Sequence, residues 1–147
     1  MVEQKLGAVA VQILFKEQNE DFEDQIREFI TVIKNFLEKN RELKDFSDIP
    51  SHFNKFEENI DTFKYKRSKF MKTLEKKYLE DMISALKQSW RNLHDILKIV
   101  VDKKDIGKLR ILDKIRGKKI DIVIDNLSII IRKHYEYLEE FKKTNFR

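Results

Sequence analysis

Residues 22–37 read FEDQIREFITVIKNFL, and this stretch decides the fold. Phe22, Ile26, Phe29, Ile30, Ile33, Phe36 and Leu37 recur at steps of three and four, the stripe of an amphipathic helix. Glu23, Asp24, Arg27, Glu28 and Lys34 stand between them as a solvated face. Acids crowd the front (Glu20, Asp21, Glu23, Asp24) and bases the rear (Lys39, Arg41, Lys44), the order a helix dipole favours. A first long helix is expected over about 19–44, with residues 1–18 expected to fray.

Working outward, FSDIPSHF at 46–53 is the clearest break. Ser47 or Asp48 can cap a new helix, and Pro50 sits where a missing N–H costs nothing. Phe53, Phe56, Ile60 and Phe63 mark the core side of that second helix, expected over 48–67. Ser68 can cap a third helix over 69–102, although no Gly or Pro forbids one continuous rod through this point. Met71, Leu74, Tyr78, Met82, Leu86, Trp90, Leu93, Leu97 and Val100 form its stripe, and DKKD at 102–105 reads as a corner. The last helix, over 105–144, carries Leu109, Leu112, Ile115, Ile120, Ile124, Leu127, Ile131, Tyr135 and Leu138.

Only three Gly and one Pro occur in 147 residues, and 39% of the chain is charged. Sheets need frequent turn residues, so the expectation is an all-α, antiparallel up-down four-helix bundle in a single domain, residues 1–147. There is no cysteine, which excludes disulfides and thiolate metal sites. The run Leu6 to Phe15 lacks a basic flank and leads into acids, and Ile120 to Ile131 is too short to span a bilayer, so a cytoplasmic protein without a membrane partner is expected. Heavy Lys and Glu usage without Cys suits a thermophilic source, although AT-rich coding also inflates Lys and Ile.

The segment from Ile106 through Leu109, Leu112, Ile115 and Gly117 to Asp121 resembles the C-terminal signature of YaaR-like bacterial proteins. Phe56 to Phe63 is similar to that family's Tyr-Lys-x-x-Val-x-x-Phe element, with Ile60 on the Val. The likeness covers residues 20–124. It implies an all-helical bundle and transfers no catalytic residue.

Candidate sites are few. His52, His94 and His134 lie on three different expected helices without metal-ligand spacing, and surface or boundary positions are expected for them. Adjacent carboxylates such as Glu57/Glu58 diverge by about 100° on a helix and make no acid–base pair. No phosphate loop or nucleophile elbow is present, so no enzyme and no cofactor are expected.

Charge is uneven: residues 1–62 are net −6 and residues 63–147 net +11. Basic stretches occur at Lys64, Lys66, Arg67, Lys69, Lys72, Lys76 and Lys77, and at Lys103, Lys104, Lys108, Arg110, Lys114, Arg116, Lys118 and Lys119. Up-down topology places the two stretches at opposite ends. Phe22, Phe29 and Phe36, and Phe56, Phe63 and Phe70, recur at seven-residue intervals and belong in the core. Phe15, Phe46, Tyr135, Tyr137, Phe141 and Phe146 are a surplus near the termini, expected to be exposed for a partner. A non-enzymatic bundle acting through a protein partner or self-association is the functional expectation. The alternative is a nucleic-acid-binding bundle using residues 103–119.

Overall fold

A computed structural model describes residues 2–39, 48–105 and 120–146, and every element among them is a helix. α1 spans Val2–Lys39, α2 Asp48–Thr73, α3 Lys76–Asp105 and α4 Ile120–Asn145. The expected all-α class holds. α2 packs along α3, α3 on α4, and α4 on α1, while α1 and α2 close the ring with the sparsest contact. Cross-helix partners show the directions. Glu23 meets Arg67 and Lys34 meets Glu57, so α1 and α2 run antiparallel. Lys66 with Asp81 and Asn59 with Asn92 do the same for α2 and α3, and Phe15 with Phe141 and Asn19 with His134 for α1 and α4.

One core runs the length of the bundle. Phe22, Ile26 and Ile33 of α1 face Phe56, Ile60 and Phe63 of α2, with Met82 and Leu86 of α3 and Leu127 and Ile131 of α4 in the same buried cluster. Each fully buried side chain of this size stabilises by roughly 1.5–3 kcal/mol. The seven-residue phenylalanine series supplies much of it, with Phe29 only half-buried.

The boundaries differ from those read in the sequence. α1 is helical from Val2, ahead of the start expected at about 19, and Phe15 and Asn19 continue its buried stripe. α2 does not stop at 67, nor does it merge with α3. It runs to Thr73, and a two-residue corner follows. Leu74 takes φ 55° there, and its N–H donates to the Phe70 carbonyl at 2.7 Å. This is the left-handed helix cap that Gly usually occupies. The Thr73 hydroxyl accepts the Glu75 N–H at 3.2 Å and donates to the Lys69 carbonyl at 3.0 Å, securing the corner. DKKD at 102–105 is not a corner either, since α3 remains helical through Asp105. The expected helix start at 105 and the break at 46–47 fall on or beside residues outside the described ones.

Candidate functional site

The most chemically distinctive place lies between α1 and α4. Asn19 and His134 are both buried, on the apolar stripes of their helices. The Asn19 side-chain amide donates to the Phe15 carbonyl at 2.7 Å, so its Oδ1 is left to accept. His134 Nε2 sits 2.9 Å from that oxygen and must therefore carry the proton. The imidazole stacks on Phe22 at 4.0 Å and 3° and meets the edge of Phe63 at 5.9 Å and 84°. Burial pushes its pKa down from 6.5 to about 3, so the ring is neutral.

A shallow groove of about 290 Å³ opens beside it, lined by Gln18, Asp21, Gln25, Ile130, Lys133 and Tyr137 along with Phe22 and His134. Burial also pushes the Tyr137 hydroxyl up. An imidazole held at about 3 is too weak a base to take a proton near neutrality. Its work here is to donate one fixed hydrogen bond and to fill an aromatic pocket.

The other histidines are partly or well exposed, as expected. His52 Nδ1 lies 3.9 Å from Asp95 across α2 and α3, and His94 packs on Trp90 at 3.9 Å between ring centres. Among the described residues, no group of three His, Cys, Asp or Glu side chains is placed to hold a metal ion.

The terminal aromatics are not exposed in the way the sequence reading puts them. Phe15 is buried and contacts Phe70 at 5.2 Å and Phe141 at 4.6 Å, while Phe146 reaches Phe70 at 6.0 Å. They close one end of the bundle themselves, and Tyr135 and Tyr137 pack half-buried against the same core. Phe46 lies outside the described residues. What that end does expose is Ile13 (54%), Leu14 (51%), Tyr65 (57%) and Leu74 (40%).

The first basic stretch is partly matched within the fold. Arg67 lies 3.1 Å from Glu23, Lys66 3.1 Å from Asp81, and Lys77 3.3 Å from Glu75. The Glu23 and Arg67 atoms that face each other are both buried yet lack a well-aligned hydrogen bond. Burial raises the Glu23 pKa, against the pull of Arg67, Lys64 and Arg27. Of the second stretch, Lys103 and Lys104 stand in the last turn of α3, at the end opposite Lys76, about 42 Å away at 1.5 Å per residue. Lys108, Arg110, Lys114, Arg116, Lys118 and Lys119 lie outside the described residues, as do Ile106, Leu109, Leu112, Ile115 and Gly117 of the signature. Asp121 stands half-buried in the first turn of α4.

No protein-family model matches the chain, and neither a curated protein nor a solved structure does. The all-α bundle and its side-chain arrangement are therefore the ground for any functional reading.

The Asn19–His134 pair was missed from sequence for an identifiable reason. Leu127, Ile131 and Leu138 lead to position 134 at steps of three, four and seven, whereas the stripe read through Tyr135 is one residue off. Asn19 likewise stands four residues after Phe15 and three before Phe22. A polar residue on an apolar stripe was the available signal.

Proposed function

We propose that this chain is a non-enzymatic helical bundle that works by associating with a second copy of itself through the N-terminal end of α1. The observation that carries this reading is the length of α1 relative to its partners. Phe15 lies level with Phe141 of α4 and Phe70 of α2, and those helices end at Asn145 and Thr73, about one turn further. α1 continues from Leu14 back to Val2, roughly 20 Å of helix at 1.5 Å per residue.

From Leu6 to Phe15 this segment carries no charge, in a chain that is 39% charged. A second copy brings the same uncharged segment, so two can pair about a twofold axis without like-charge repulsion. Ile13 and Leu14 supply exposed apolar surface at its base.

Sedimentation velocity over a wide concentration range tests the reading. A discrete species above monomer is expected, dissociating at least ~tenfold more readily in Ile13→Glu or Leu14→Glu, since each side chain contributes on the order of 1.5–3 kcal/mol when covered. Both side chains are half-exposed in the monomer, so helicity by circular dichroism should be unchanged. A strictly monomeric wild type overturns the proposal. Cytoplasmic residence belongs to the same reading and rests on composition. The YaaR-like resemblance fits a non-catalytic bundle and adds no residue role. Nucleic-acid binding through residues 103–119 rests on sequence alone.

A further inference from the structure

We propose that the α2–α3 corner is a binding site for single-stranded nucleic acid, with Tyr65 as the stacking platform and Lys69 and Lys72 as the phosphate contacts. This goes beyond self-association and does not depend on it. Tyr65, Lys69 and Lys72 are spaced at four and three residues and so share one face of α2. Tyr65 is 57% exposed, and its ring has no apolar duty in the core. Lys66 and Lys69 hold their ammonium groups 5.9 and 5.5 Å from its centre. Tyr78, across the corner, is flanked in the same way by Lys66 at 5.6 Å and Lys77 at 4.9 Å.

Charge at this corner is only partly answered from within. From Thr62 to Leu74 the sequence holds no acid, and Asp61 bounds the strip one turn behind Tyr65. Glu23 faces Arg67 and lies within reach of the field of Lys64, while Asp81, Glu75 and Glu80 face Lys66, Lys77 and Lys76. Lys69 and Lys72 have no acidic partner among the described residues. Cations beside an exposed aromatic ring are what a flexible single strand uses: the base stacks, and the ammonium groups move from ring to phosphate. An acidic peptide would use the lysines and leave the ring idle, and that difference makes the two distinguishable.

Fluorescence polarisation with a labelled oligothymidine, against a duplex of equal length, is the experiment. Binding at low salt is expected, with log affinity falling linearly in log salt and preference for the single strand. Tyr65→Ala should weaken binding roughly ten- to a hundredfold, and Tyr65→Phe should keep it. Removing both cations in K69E/K72E should abolish binding, with helicity unchanged because the three side chains lie outside the core cluster. No binding at low salt overturns the proposal. So does Tyr65→Ala binding as well as wild type while polyglutamate competes, which would make this an acidic-peptide site. Oligonucleotide binding that survives K69E/K72E would also overturn it, moving the contact to another part of the chain.

Discussion

α2 and α3 are neighbours in sequence and in space, whereas α1 and α4 meet from opposite ends of the chain. The first pair packs along its length, and its cross-helix polar contacts, Lys66–Asp81 and Asn59–Asn92, stand at the margin of an apolar seam. The second pair is held partly by a buried hydrogen bond, Asn19 to His134, inside a stack of Phe22 and Phe63. A hairpin of consecutive helices needs little to specify its partner, because the short corner already limits the register. Distant helices need a feature that is satisfied in one register only. A buried polar pair does this, since sliding α1 by one turn would strand both groups without partners.

The largest effect is expected at Phe63, the ring that links α2 to Phe22 of α1 and His134 of α4. Phe63→Ala should destabilise by about 3–5 kcal/mol in denaturant unfolding, as a buried aromatic does when deleted. Next comes Asn19→Ala, which leaves the His134 N–H buried without an acceptor and should cost about 1–3 kcal/mol. Replacing both by leucine should recover most of that loss while blurring the register, visible as poorer dispersion of side-chain resonances.

Acid sharpens the contrast further. The folded state holds His134 neutral with its pKa depressed, so its contribution is whole above 6.5 and lost as pH falls from 6.5 toward about 3. Stability should drop by about 1.4 kcal/mol per pH unit in that window beyond the decline shown by His134→Phe. The smallest effect is expected at Lys34→Ala, whose partner Glu57 lies 2.8 Å away on an exposed rim. Less than ~1 kcal/mol should be lost, and less still in high salt.

Periodicity made the four helices legible, because stripes such as Phe22–Ile26–Phe29–Ile33 have no other reading. The ends of helices were harder. Leu74 occupies a left-handed cap without being Gly or Asn, so composition pointed instead to Ser68, which is mid-helix and exposed. Asn19 stood at the expected helix start, beside the acids that mark it, and only the fold shows that it meets His134. The terminal aromatics looked like surplus because sequence does not reveal that Phe15, Phe70, Phe141 and Phe146 converge. Charge totals misled in part. Within the basic run at 64–77, Arg67, Lys66 and Lys77 are answered by Glu23, Asp81 and Glu75 from three directions, while, among the described residues, Lys69 and Lys72 are not, a division that no one-dimensional tally displays.

The two-residue corner at Leu74 and Glu75 also sets a contrast in chain entropy. Closing α2 onto α3 ties together residues near one another in the chain, at small cost in loop entropy. Joining Asn19 to His134 spans 115 positions and carries the larger closure cost. The helix with that costlier closure, α1, is also the one that carries the uncharged segment from Leu6 to Phe15.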